Sequence, residues 1–270
     1  MRVVIALCAV LTAFASVTQA ATPASLEQVI QSPHRQAGEL LRDQYRHPKQ
    51  TLEFFQVRPE MTVVEIWPGA GGWYTSILAP WLRDRGTLYA AQFPADSKVA
   101  FFRRSRAAFE KKLAAQPELY DQVKVTALEA PEHLDIAPAG SVDRVLTFRN
   151  VHNWAQAGVT DAVFTSFYKA LKPGGLLGVV EHRAPAGRPL EEQLESGYMT
   201  ETYVIEAAEK AGFVLDGNSP VNANPRDTAE HAQGVWTLPP TLRRGDQDRE
   251  KYMNIGESDR MTLRFRKPGQ

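Results

Sequence analysis

The chain has 270 residues, 43% of them hydrophobic and 23% charged, with 31 basic side chains against 31 acidic ones. That balance is typical of a folded protein with room for one large domain or two small ones. It excludes a disordered chain and a nucleic-acid binder that works through a broad basic field. The one cysteine, Cys8, excludes a disulfide framework and a cysteine-based zinc site.

The chain opens on Met-Arg, an apolar run over 3–15 and a small-residue stretch ending at Ala20. This order predicts a signal peptide over 1–20, cut after Ala20. The run is too short to cross a membrane; a buried N-terminal helix or an uncleaved anchor is the alternative. Cleavage would remove Cys8 and leave a chain without thiols, suited to an oxidising compartment. The expected location is periplasmic or secreted, with no membrane span left after processing.

Residues 21–57 predict a helical extension. Leu26, Val29 and Ile30 recur at helical spacing, as do Leu40, Leu41 and Tyr45, and Pro48 can open a further helix. From residue 58 the pattern changes. The apolar run 61–66 predicts a strand buried on both faces. It ends in the turn Trp67-Pro-Gly-Ala-Gly-Gly72, and Tyr74, Ile77, Leu78, Trp81 and Leu82 then mark a helix.

The order then repeats: a strand over 86–92, and a helix over 96–115 with Val99, Phe102, Phe109 and Leu113 on one face. Strands follow at 123–128 and 142–148, then a helix over 158–171 stopped by Lys172-Pro-Gly-Gly175. A strand at 176–181, a helix at 201–211 capped by Gly212, a strand from Phe213 and a last alternating strand at 261–265 complete the set. The polar stretch 217–258 reads as a long insertion, either a lid or a solvated loop. Strands alternating with helices predict α/β units around a parallel sheet.

In such sheets ligands bind beyond the carboxyl ends of the strands, where strand order reverses. The turn after the first strand, Glu65-Ile-Trp-Pro-Gly-Ala-Gly-Gly72, is therefore the first candidate site. It fits the dinucleotide pattern Gly-x-Gly-x-x-Gly poorly, because Tyr74 stands where the third glycine belongs.

The turn resembles motif I of class I S-adenosylmethionine-dependent methyltransferases. Lys172-Pro-Gly-Gly175, Ser141–Thr147 and the 201–213 helix–strand step resemble later parts of the same family. Tyr45-Arg-His-Pro48, Arg149-Asn-Val-His-Asn-Trp154 and Glu181-His-Arg183 resemble a bacterial subgroup of predicted, often exported methyltransferases without an assigned substrate. The resemblance implies a Rossmann-like, seven-stranded, mostly parallel sheet with helices on both faces and additional N-terminal helices. The methyltransferase domain would cover 58–270, with S-adenosylmethionine as cofactor and a small-molecule acceptor.

It also implies residue roles. Glu65 would orient the turn or hold the cofactor's amino group, and Gly69, Gly71 and Gly72 would pass under its methionine and ribose. Trp67 replaces the first motif glycine. Trp67, Trp73 and Tyr74 would either touch the sulfonium by cation–π attraction or pack the core. Gln92 stands where an acidic residue normally holds the ribose hydroxyls, and Glu129 would flank the adenine. His152 would act as general base, or else only cap the next helix. Asn150 and Asn153 would bind the acceptor, Trp154 would wall the pocket, and His182 or a neighbour in Glu181-His-Arg183 would face it. Tyr45, Arg46 and His47 would close over the cofactor or form a solvated helix end. No metal is assigned, since His34, His133 and His231 lack ligand spacing. The alternatives are an exported non-catalytic binding or scaffold protein on this fold and, disfavoured by the dinucleotide mismatch, a nicotinamide-dependent oxidoreductase.

Overall fold

The computed structural model describes residues 24–269, so the signal peptide expected over 1–20 lies outside the described residues. The N-terminal extension forms four short helices, α1 (Leu26–Ile30), α2 (Ala37–Leu40), α3 (Asp43–Arg46) and α4 (Pro48–Phe54). Ser25 caps α1 by accepting from the Gln28 amide, while the Gln28 side chain accepts the Ser25 N–H. His47, at φ 40°, separates α3 from α4, and Pro48 is the first residue of α4. Helices this short depend on packing rather than propagation. Val29, Ile30, Leu52 and Phe55 join Ile77 and Leu78 in the core below one face of the sheet.

The α/β body follows. Its elements are β1 (Thr62–Ile66), α5 (Thr75–Leu82), β2 (Thr87–Gln92), α6 (Ala100–Ala115), α7 (Pro117–Tyr120) and β3 (Lys124–Ala127). Next come β4 (Val142–Phe148), α8 (Val151–Gln156), α9 (Thr160–Ala170), β5 (Leu171–His182), α10 (Leu190–Ser196) and α11 (Glu201–Lys210). The chain then forms β6 (Val214–Ser219), α12 (Arg249–Ile255) and β7 (Arg260–Arg266). The sheet order is β3-β2-β1-β4-β5-β7-β6. All neighbours pair parallel except β7, which runs antiparallel between β5 and β6. This is the expected seven-stranded, mostly parallel Rossmann-like sheet. Strand order reverses between β1 and β4, which places the ligand crevice beyond their carboxyl ends.

Several elements differ from the sequence expectation, among them β5, which begins at Leu171 and takes in Lys172-Pro-Gly-Gly175. Val99, expected on the buried face of its helix, is the exposed N-cap of α6. Helices α8 and α10 were not anticipated, because six or seven residues are too few to show a helical period. The polar stretch after β6 is packed in part, at 222–238 and 255–258, while most of 240–251 is exposed to solvent. Asn222, Glu257 and Ser258 are buried. Asp227 accepts from the Tyr198 hydroxyl, from the amides of Ala229 and Asp259, and pairs with His231. Its polarity is thus satisfied internally.

Candidate functional site

The turn between β1 and α5 is fixed from several sides. The Glu65 carboxylate, 2% exposed, accepts from Thr75 Oγ1 at 2.6 Å and so holds the start of α5. Burial pushes its pKa up to about 7. Lys112, on α6, donates to the Gly71 carbonyl at 2.6 Å and to Ser76 Oγ. Gly72, at φ 53°, has no space for a side chain, since a Cβ would meet Phe109 at 2.8 Å. At Gly69 and Gly71 a Cβ would meet nothing within 4 Å, so open room runs along this part of the backbone.

Gln92 faces inward. It is fully buried, donates to the Gly69 carbonyl at 3.0 Å and accepts from the Phe93 amide at 3.0 Å. Its amide therefore braces the turn. Trp67 adopts φ 45°, a left-handed conformation costing a non-glycine residue about 1–2 kcal/mol. Its indole packs 4.6 Å from Phe93, 5.7 Å from Phe102 and 5.4 Å from Trp154. The indole N–H donates to the Leu128 carbonyl at 2.8 Å. One side chain thus spans from the end of β1 to the residues following β2 and β3. Trp73 and Tyr74 pack away from the turn: Trp73 carries the Arg35 and Arg46 guanidinium groups on its ring, and Tyr74 stacks on Phe148 at 3.6 Å. Glu129 accepts from Ser97 Oγ at 3.1 Å. It lines a polar cavity of about 380 Å³ with Asp96, Lys98 and His133.

A second polar centre lies beyond β4 and β5. Asn150 ties the two halves of the crevice together, donating to the Ile66 carbonyl at 3.1 Å and to Thr147 Oγ1 at 3.2 Å. The Glu181 carboxylate, fully buried at the end of β5, accepts the amides that open α8: Val151 at 2.5 Å and His152 at 3.4 Å. Its other oxygen accepts the His182 amide at 2.8 Å and pairs with His152 Nδ1 at 3.0 Å. That pairing fixes the His152 proton on Nδ1 and the lone pair on Nε2, where the Asn153 amide nitrogen lies 3.1 Å away. The His182 ring sits 5.4 Å from that of His152, with Nδ1 2.6 Å from Ser258 Oγ. Burial, then the neighbouring His152, Arg260, Arg149 and Arg46, holds the His182 pKa well below its ordinary value, so the ring is neutral.

Four arginines converge beside these histidines. Glu257 accepts from Arg42 Nε at 2.5 Å, from Arg46 Nε at 3.3 Å and from Arg260. This positive surround holds the Glu257 carboxyl well below the usual carboxylate range. The fourth arginine, Arg149, has φ 63° and lies within the field of Arg260, Glu257 and Arg42. Desolvation first, then those arginines, pushes its pKa down to about 10. Of this cluster the sequence pointed to Arg46 and to the segment containing Arg149. It missed Arg42, Glu257, Ser258 and Arg260. The available signal was the run Glu257-Ser-Asp-Arg260, which places charge at the mouth of a central strand.

His152, Glu181 and His182 bring potential ligand atoms within 4.8 Å of one another, a grouping the sequence spacing did not reveal. The donor types suit a divalent transition ion. The charge does not, because Arg46, Arg149 and Arg260 all bear on His182. The centre repels a cation and attracts an anion.

No sequence family profile matches the chain, and no curated protein sequence matches it. Solved structures do match in shape. A SAM-dependent methyltransferase from Aquifex aeolicus superposes with TM-score 0.54 at 15% identity, over 90% of this chain and 98% of the other. The geranyl diphosphate C-methyltransferase from Streptomyces coelicolor A3(2), solved with Mg2+, geranyl diphosphate and S-adenosyl-L-homocysteine, gives 0.55 at 15% identity over 88% and 87%. The [4+2]-cyclase SpnF gives 0.53 at 15% identity over 83% and 81%. The fold is that of the class I methyltransferases. The cyclase among the neighbours shows that this fold also carries other chemistry, so function must be argued from the site.

The methyltransferase fold implies S-adenosylmethionine, and the open backbone at Gly69 and Gly71 fits such a group along the turn. At the nucleoside end the fit requires Trp67 to swing off Leu128, because its indole lies across the ends of β2 and β3. Gln92 is committed to Gly69 and leaves the ribose contact implied by the resemblance without a side chain.

Proposed function

We propose that the chain is an S-adenosylmethionine-dependent methyltransferase whose small-molecule acceptor sits beyond the ends of β4 and β5. The observation that carries this reading is an open glycine turn and a buried His152–Glu181 pair, both at the switch point of a methyltransferase fold. Bound along the turn, the cofactor supplies an electrophilic methyl group. Gly69 and Gly71 let the backbone approach it without a Cβ, and Glu65 keeps the turn against α5. Glu129 and Ser97 flank the nucleoside side.

His152 is the group that takes a proton from the acceptor, through Nε2, once Asn153 lets go of that atom. Glu181 holds the tautomer and stabilises the imidazolium that forms. Neutral His182 is a hydrogen-bonding neighbour for the acceptor, while Asn150 positions the crevice by its bond to Ile66. Among the described residues no helix is long and apolar enough to cross a membrane. With the leader over 1–20, the proposal places the protein in the periplasm or outside the cell. N-terminal sequencing of the native protein tests that placement.

The test of activity is calorimetry on the purified protein with S-adenosylmethionine and S-adenosylhomocysteine, followed by an acceptor screen. Saturable binding of either ligand and methyl transfer lost in His152→Ala support the proposal. No binding at millimolar concentration overturns it. The positions of Trp67 and Gln92 favour a second reading, a binding or non-methylating protein on this fold, and that reading predicts the negative result.

A further inference from the structure

The arginine cluster exceeds what its own fold requires. Glu257 has two carboxylate oxygens, and Arg42, Arg46 and Arg260 occupy both. Arg149 adds a fourth positive charge within their field. Among the described residues its guanidinium donates no hydrogen bond, although the residue is only partly exposed. Arg42 Nη2, by contrast, is buried without a partner. A sealed guanidinium N–H such as Arg42 Nη2 calls for an acceptor, and the unbonded, partly exposed fork of Arg149 is open to one arriving from solvent. Arg149 bears on His182, whose ring lies 5.4 Å from that of His152, so an acceptor at the Arg149 fork would lie near the two histidines.

Structural arginines behave differently in the same protein. Arg144 spends its guanidinium on the carbonyls of Phe55, Gln56 and Asp143. Arg183 forks onto Asp259 with two bonds of 2.8 and 2.9 Å. Arg149 instead holds a left-handed backbone and a repelled charge without a protein acceptor.

We infer that the ligand of this centre carries an oxyanion, a carboxylate or phosphate group, received by the planar fork of Arg149 together with the spare Nη2 of Arg42. A guanidinium matches either anion in bidentate geometry. Anchored there, the rest of the molecule reaches the two histidines. This rests on the reading that the acceptor occupies the ends of β4 and β5, and it narrows that acceptor to acidic small molecules.

The experiment is thermal unfolding of the full chain with inorganic phosphate or malonate, against sodium chloride at matched ionic strength. The proposal expects a saturable rise in Tm at millimolar anion beyond the chloride effect. In Arg149→Gln that response disappears, and in Arg149→Lys, which keeps the charge but not the fork, the apparent affinity falls at least tenfold. It also expects unliganded Arg149→Gln to melt at or above the wild-type temperature, because a repelled charge is gone. An unchanged anion response in Arg149→Gln, or a lower unliganded Tm, overturns the inference. An intact response in a protein that binds neither sulfur ligand overturns the methyltransferase proposal and leaves the oxyanion subsite standing.

Discussion

The Glu181 carboxylate pairs with His152 Nδ1 at 3.0 Å while its second oxygen receives the Val151 amide at 2.5 Å. One buried group from a strand thus starts the helix that carries the histidine and sets the histidine's tautomer. Glu181→Gln removes the charge that stabilises an imidazolium and turns an amide NH2 toward one set of N–H donors, so its Tm should drop as well. Turnover should fall by about 10²- to 10⁴-fold with little change in KM, measured by methyl transfer to an acceptor found in the screen. A rise in KM with turnover unchanged would assign Glu181 to binding instead.

In the proposed complex, Trp67 is the side chain between the turn and the nucleoside. Trp67→Gly supplies the residue that φ 45° favours and removes the indole from Phe93, Phe102 and Trp154. Lost packing outweighs relieved strain, so Tm should drop by roughly 5–10 °C. S-adenosylhomocysteine should bind at least tenfold more tightly by calorimetry. Weaker binding in the variant would show that the indole is a cofactor contact and not an obstacle.

Glu257 neutralises the buried arginines, and removing its charge leaves them facing one another. Glu257→Gln should destabilise the protein by about 3–5 kcal/mol, read from the denaturant midpoint. Because the folded pKa is depressed, this stabilisation is complete above the ordinary value near 4.5 and is lost as pH falls below it. The wild-type protein should therefore weaken on acidification below pH 4.5, and the variant should lack that contribution.

Glu65 acts in the opposite direction. Its folded pKa, about 7, lies above the ordinary 4.5, so the folded state holds a proton that the unfolded state releases. Stability should decline between pH 4.5 and 7, by about 3 kcal/mol from this group. Glu65→Gln, which can still accept from Thr75, should flatten that decline in a midpoint-against-pH series. A wild-type profile that rises across the same interval would refute this environment for Glu65.

Strands β1 and β4 and the 176–181 part of β5 were legible as short, mostly apolar runs, and the glycine turn was legible because it punctuates the first of them. The orientation of Gln92 was not: the sequence shows an amide at a strand end, while only the packed turn shows it bonded to Gly69. The charged centre was hidden by distance along the chain. Glu257 meets Arg42 and Arg46 across 215 and 211 residues, far outside any local pattern. The His152–Glu181 pair was half legible: His152 stood out as a base, but its partner follows from the parallel register of β4 and β5.

The antiparallel insertion of β7 between β5 and β6 has a consequence for biosynthesis. Glu257, Ser258 and Arg260 leave the ribosome long after Arg42, Arg46 and His152 have done so. Until β7 threads between its neighbours, the early arginines have no carboxylate to converge on and His182 has no Ser258. The centre is therefore complete only once β7 has paired with β5 and β6. A chain stopped short of residue 257 would keep His152, Glu181 and His182 but lack the carboxylate that gathers Arg42 and Arg46 and the Ser258 hydroxyl beside His182.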